Sequence, residues 1–369
     1  MIKHVKHYIL RDCRSNENRT DAFEFPTRER QPDLFDNNVA FTSLLSHPGD
    51  GMLYCGLTAW NTDILYRFDP SSKEFESLHY PDISEPFEVK VHRSLELASD
   101  GTVYGASACL HTVDKRREAP GGALFKIAPG ADHAVKMGIP VEHDYIQTIS
   151  LDDERGLIYG QTYPVFNTFV YDLKTAETTN LGYMGSITHI STIDDTGCFW
   201  GTWQEAAHFF YKYDPGTQAI TWFRNSVPNS AEDSDRMYPG AGPIDTMING
   251  GDGYIYIGTC GGSLCRLDPK TGEVTYLAKP SPAARLPGLV VWKDTLLLGC
   301  MGDDYDSMLF AYDRETGALH NLGPLIDSET GRRLFRVHDV RLVDEHTAYV
   351  AETDVPDRSG YLWECTIDI

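Results

Sequence analysis

Two histidines stand nineteen residues apart in VHRSLELASDGTVYGASACLH, residues 91–111. His92 leads into an alternating strand, the chain turns at Asp100-Gly101, and His111 follows the returning strand. An antiparallel hairpin brings its two ends back to one edge of a sheet, so both imidazoles belong to the same side of one element. An imidazole changes charge near neutral pH, and a pair of them can hold an anion or move a proton. Tyr163, in GQTYP, adds a phenol; His143, His189, Trp203, His208, Arg336 and His338 occupy equivalent places in other repeats, with Arg236 as a further cation. Taken singly, each has a plain structural role. A histidine at a strand start is usually hydrogen-bonded, Tyr163 before a proline can plug a turn, and Trp203 can cap a sheet or give a sugar ring a platform. Convergence on one face is what makes them candidates, because loops on a rigid scaffold carry most binding and catalytic groups.

Several chemistries fail on the residues. Serine hydrolysis needs a nucleophile elbow, and no GxSxG is present. Glycoside hydrolysis needs two facing carboxylates; Glu205 and Glu352 are available, but nothing in the sequence pairs them. Metal-dependent lactone hydrolysis would need acidic and Asn ligands around an axis, which the sequence does not assemble. β-Elimination at a uronic acid fits better. The C5 proton is weakly acidic, so the neighbouring carboxylate must be neutralised by Arg, His⁺ or a metal, while a Tyr or His base takes the proton and an acid protects the departing oxygen.

The elements that would position these groups are repeated. Seven times an alternating strand meets a polar turn and a second strand, as in GDGMLYCGLT, SDGTVYGAS, DERGLIYGQT, DTGCFWGTW, GDGYIYIGT, WKDTLLLGC and DEHTAYVAET. A second phrase follows, seen in LYRFDPSSKEFESL, FYKYDPGTQAITWF and LCRLDPKTGEVTYL, in which turn formers separate two further strands. Two hairpins per repeat make a four-stranded antiparallel sheet. The expectation is an all-β, seven-bladed β-propeller forming one domain over residues 1–369, without the GH and WD signatures of WD40 repeats. The seventh repeat stops one strand short after GYLWECTIDI, so residues 4–10 (HVKHYIL) are expected to supply its outer strand and close the ring. With strands labelled A to D from the axis outward, the candidates fall on the face of the B–C and D–A connections.

Charge and composition narrow the partners. With 54 acidic against 32 basic residues, the formal charge of −22 argues against nucleic acid or an anionic membrane as partner. It favours short uronate-containing oligosaccharides or chain ends over long polyanions. The N-terminus lacks the apolar core of a secretory signal, and no apolar run is long enough to span a bilayer. The eight cysteines lack CxxC spacing and read as reduced core thiols, Cys260 and Cys265 beside Gly261-Gly262 included. The expected location is cytoplasmic; a secreted chain with its signal removed would read the same. The run Asp114-Lys115-Arg116-Arg117-Glu118 reads as a solvated loop that brings positive charge close to His111.

The hairpin of residues 91–111, followed one blade later by YGQTYP, resembles the seven-bladed propeller polysaccharide lyases, which include ulvan lyases and rhamnosyl-glucuronate lyases. The resemblance implies β-elimination at a glucuronate-type unit, with His92 and His111 as the two site histidines and Tyr163 moving the proton. It also implies an arginine soon after the tyrosine, and here none occurs before His189. His189, Arg236 or Arg336 would have to neutralise the carboxylate, with His143, Trp203 and His338 as further substrate contacts. No cofactor is required for this chemistry, and a structural divalent cation is left open. The alternatives are a non-catalytic propeller that binds a ligand or protein, and a propeller hydrolase or lactonase.

Overall fold

The computed structural model describes residues 1–14, 37–109, 113–184, 190–203, 209–224 and 244–368. Among these residues the fold is a β-propeller with seven antiparallel blades, and helical structure beyond a single residue is confined to short 3-10 turns at Tyr80–Asp82 and Val113–Glu118. All seven A–B turns read from the sequence join paired strands. Two compact units can be distinguished. One holds residues 2–146 and 325–369, with blades 1, 2 and 7; the other holds residues 147–324, with blades 3 to 6.

Local chemistry explains the repeats. In five of the blades an aspartate at the end of strand C accepts a bond from the main-chain N–H two residues on, at 2.7 Å for Asp69 and Asp172 and 2.8 Å for Asp214, Asp268 and Asp313. That Asx turn sets the C–D hairpin without help from distant contacts. The Tyr-Gly phrase of strand B has a packing cause. A Cβ on Gly105, Gly160 or Gly299 would lie 2.1–2.2 Å from the ring of Phe125, Phe169 or Phe310, its paired residue on strand C. The bare glycine is the floor on which that ring lies.

In the first unit, blade 7 consists of Val337–Leu342, Thr347–Glu352, Leu362–Ile367 and, outermost, the N-terminal strand Ile2–Tyr8. The expected closure is therefore present, with Val5 paired to Cys365 and Tyr8 to Leu362. The new outer edge is covered in turn. Ser328 N–H donates to the Val5 carbonyl, Val5 N–H donates to Ser328 Oγ, both at 2.9 Å, and the His7 ring bonds Asp327 at 2.7 Å. Glu364 Oε2 accepts from Tyr8 (3.0 Å), Tyr349 (2.7 Å) and Lys73 (2.6 Å), tying three strands of blade 7 to the C–D turn of blade 1. Covered edges suppress both fraying and adventitious strand pairing.

Blade 1 (Val39–His47, Met52–Ala59, Leu65–Asp69, Glu74–Ser77) is extended by two short segments, Glu88–Lys90 and Ala108–Cys109. Lys90 pairs with Thr58 on one side and Ala108 on the other. Strand A of blade 2 is only Leu95–Leu97, so the residues before it follow no regular pleat. Deleting residues 1–12 is expected to lower the melting temperature by about 5 °C or more, since buried Val5 and the Glu364 and Asp327 networks are lost together. An unchanged melting curve would contradict the closure.

Candidate functional site

Four of the sequence candidates lie outside the described residues: His111, His189 and Arg236, and with them His208. Glu205 lies outside as well. The others divide between the two units.

In the unit of blades 1, 2 and 7, the structure brings together His92 and His338. Their ring centroids are 5.0 Å apart at 84°, an edge-to-face contact, and the residues are only 3% and 6% exposed. Such a contact fixes both rings, because the positive edge of one meets the negative face of the other. His338 sits in a β-bulge: Val337 pairs with Glu352 and Asp339 with Ala351, leaving His338 as the extra residue. Bulges re-aim side chains at sheet rims. Arg93, with φ +45°, turns its guanidinium across to donate to the His338 carbonyl at 2.9 Å, while its own N–H donates to Thr42 O at 3.1 Å. Arg336, two residues before His338, lies 3.6 Å from Asp354 and 5.3 Å from the centroid of the Phe335 ring.

Lys90 interacts electrostatically with Arg93 and Asp354. Burial lowers its ammonium to about 8, with Asp354 opposing that shift and Arg93 reinforcing it. On strand A of blade 2, burial pushes the Glu96 carboxyl up to about 7 against the pull of Arg341. Arg341 in turn bonds Asp339 at 2.6 Å, and Asp339 accepts Leu44 N–H at 3.1 Å. Those two charges are therefore engaged in holding strands A of blades 1 and 7.

Other candidates in this unit are anchored structurally. His143 Nδ1 bonds the Ala119 carbonyl at 2.8 Å, and Arg116 bonds buried Asp144 at 2.6 and 3.0 Å. The run expected to be a solvated loop is thus a 3-10 turn at Val113–Glu118 pinned through Arg116. Glu352 is not a spare carboxylate. It is fully buried, binds Arg358 twice at 2.8 Å, and accepts from Phe335 N–H, Tyr361 N–H and Trp363 Nε1–H at 2.7, 2.9 and 3.1 Å.

The unit of blades 3 to 6 holds Tyr163 and Trp203, and links them by a row of rings. Tyr163, last residue of strand Leu157–Tyr163, meets Phe166 at 5.3 Å; Phe166 meets Tyr183 at 6.4 Å; Tyr183 meets Trp203 at 5.4 Å; Trp203 meets Trp222 at 5.5 Å. Every contact is edge-to-face. Tyr183 and Trp222 are 45% and 43% exposed, so the row offers aromatic faces on which the C–H face of a sugar can lie.

Sequence reasoning missed Lys90, Arg93 and Asp354. One signal was there: Lys90-Val91-His92 and Arg336-Val337-His338 are the same phrase, basic-Val-His, at the entry to two blades. Cys260 and Cys265 are buried and unbridged, and among the described residues no three His, Cys, Asp or Glu side chains are grouped to hold a metal.

No protein-family model and no curated protein matches this sequence. Among solved structures, the chain is similar to the extracellular domain of the putative hybrid two-component system BT4673 from B. thetaiotaomicron, at 14% identity and a TM-score of 0.57. That match covers 88% of this chain and 40% of the other, so this chain spans well under half of that relative's length. A protein of unknown function from Bacteroides thetaiotaomicron VPI-5482 aligns at 12% identity and a TM-score of 0.49, covering 86% and 82%. At such identities the first likeness speaks to the fold alone.

The resemblance drawn from the sequence gives proton transfer to Tyr163. Tyr163→Phe keeps the ring against Phe166 and removes only the hydroxyl, so kcat is expected to fall about 10²-fold or more with little change in KM on any glycan the wild type cleaves. A wild-type kcat would return Tyr163 to a packing role.

Proposed function

We propose that the chain is a lyase acting on uronate-containing oligosaccharides, and that the cluster around His92 and His338 receives the uronate carboxylate. The observation that carries this is the convergence of Arg93, Arg336 and two imidazoles within one unit of a chain whose formal charge is −22. Cations gathered in one place repel one another, and an anion bound among them relieves that repulsion. Arg93 is held at the His338 carbonyl and Arg336 beside Asp354, so both guanidinium groups are oriented before any ligand arrives.

The chemistry follows from what a bound carboxylate gains. Once its charge is neutralised, the electrons released on removing the C5 proton can spread onto it, and the enolate-like state is stabilised where the negative charge grows. The C5–H electrons form the C4=C5 bond, the C4–O bond breaks, and the departing oxygen takes a proton from an acid. A base takes the C5 proton, and the histidines hold charge. Nothing in this sequence of events consumes water.

A second reading is favoured by the burial of both imidazoles, at 3% and 6% exposure. Rings so enclosed serve a non-catalytic propeller that binds an acidic sugar without changing it, equally well.

Incubation with a panel of uronate-containing glycans separates the two. A lyase gives ultraviolet absorbance from an unsaturated uronate, and products whose masses sum to that of the substrate with no water added. Arg93→Ala and His92→Ala are each expected to lower kcat/KM about 10²-fold or more without unfolding the protein. Products heavier by one water, or full activity in both variants, would contradict the proposal; tight uronate binding with no product would favour the binding module.

A further inference from the structure

We propose that the row of rings on blades 3 and 4 is a second ligand site, which takes an uncharged sugar unit on Tyr183 and Trp222. The inference goes beyond the anion-site reading and does not depend on it, because every ring in the row lies in the other unit.

Packing between the two blades holds the rings. In blade 4, Gly201 pairs with Tyr211 across strands Phe199–Trp203 and Phe209–Asp214, and Tyr211 pairs with Trp222 on strand Ala219–Phe223. Directly paired residues share a face, as do residues two apart, so Trp203, Tyr211 and Trp222 project from one side of the blade. That side meets blade 3. Gln161 Nε2–H donates to Tyr211 Oη at 2.6 Å, and Thr168 Oγ1 shares a bond with the same hydroxyl at 2.7 Å. A Cβ on Gly201 would lie 2.5 Å from the Tyr211 ring, so the glycine leaves the room in which that ring lies. Tyr211 is fully buried and backs Trp222, with ring centroids 5.4 Å apart. From blade 3, Tyr183 ends strand Thr178–Tyr183 just after a one-residue slip in its pairing with strand C, a place where a side chain is re-aimed. It meets Trp203. Trp203 therefore contacts both exposed rings edge-to-face, at 83° to Tyr183 and 75° to Trp222.

Size and charge select the occupant. Tyr183 and Trp222 are 45% and 43% exposed, which leaves about 100 Å² of side chain open on each. A stable protein partner covers about 800 Å² on each side, so this opening suits a small molecule. The strands that carry the two rings read TTNLGY and AITWF and bear no charge; Arg224, just beyond, lies over the Phe209 ring at 5.8 Å. An anion finds no counter-charge on either strand. Exposed Thr178, Thr179, Asn180 and Thr221 make the surroundings polar but neutral. An uncharged pyranose matches both halves of this surface, because its C–H face can lie on a ring while its hydroxyls meet water and neutral polar side chains.

The probes are three uncharged oligosaccharides that differ in hydroxyl configuration, cellotetraose, mannotetraose and galactotetraose. Each is titrated by ligand-observed NMR against wild type, Tyr183→Ala, Trp222→Ala and Trp222→Phe, with melting curves and sedimentation of every protein. The expected result is that at least one probe binds the wild type equally at low and high salt, and that each alanine variant binds it about tenfold or more weakly. Trp222→Phe keeps a ring and is expected to stay within about threefold of wild type. Melting temperatures are expected to change little, since both replaced rings are half-exposed, and Tyr183→Ala with Trp222→Phe carries the test should Trp222→Ala unfold. No binding of any of the three probes, unaltered affinity in both alanine variants, or a self-association of the wild type that Trp222→Ala abolishes would overturn the site. D-Glucuronate binding at the arginines is read separately, so its failure leaves this site standing and the failure of this site leaves that reading standing.

Discussion

Blade 7 has no outer strand of its own, and the pairing of residues 2–8 with residues 362–367 supplies it. An antiparallel sheet with an open edge leaves a row of unmet N–H and C=O groups, so this long-range pairing is a condition for the blade's stability. The site depends on the same blade. His338 and Arg336 lie at its innermost strand, Asp354 in its B–C loop, and fully buried Glu352 gathers Arg358 and the main chain of Phe335 and Tyr361 beneath them. Strand closure at the outer edge and charge placement at the inner edge thus belong to one four-stranded unit.

A chain of formal charge −22 that nevertheless groups Arg93 and Arg336 shows how little net charge says about a particular surface. The arginines are not loose. Arg93 reaches across 245 positions of sequence to the His338 carbonyl, and its left-handed backbone is what turns the side chain that way. A non-glycine residue in that conformation is uncommon, and the bond it permits is a physical reason for it to persist. The edge-to-face histidines bring the two basic phrases into contact.

The blades were legible because their causes are local. Asx turns at Asp69, Asp172, Asp214, Asp268 and Asp313, and glycines facing rings across a strand pair, are written in a few adjacent residues. The missing strand was legible from counting. The site was legible only in part. His92 and His338 could be placed on one face by topology, but their mutual contact could not, because strand A of blade 2 is three residues long and His338 stands in a bulge, where period-two reasoning fails. Arg93 and Lys90 were overlooked because side-chain direction in an irregular lead-in is set by tertiary bonds. Glu352 looked available from sequence, yet its binding capacity is spent on Arg358 and the main chain. The aromatic row from Tyr163 to Trp222 escaped notice for a similar reason: its members come from separate strands and a loop of blades 3 and 4.

The central claim is that the cluster around His92 and His338 receives a carboxylate. The most direct measurement is a crystal structure of the protein with D-glucuronate bound. The account predicts the sugar's carboxylate oxygens at about 2.7–3.0 Å from the guanidinium groups of Arg93 and Arg336. A carboxylate bound away from both arginines, or a sugar held solely on the aromatic row of blades 3 and 4, would contradict it.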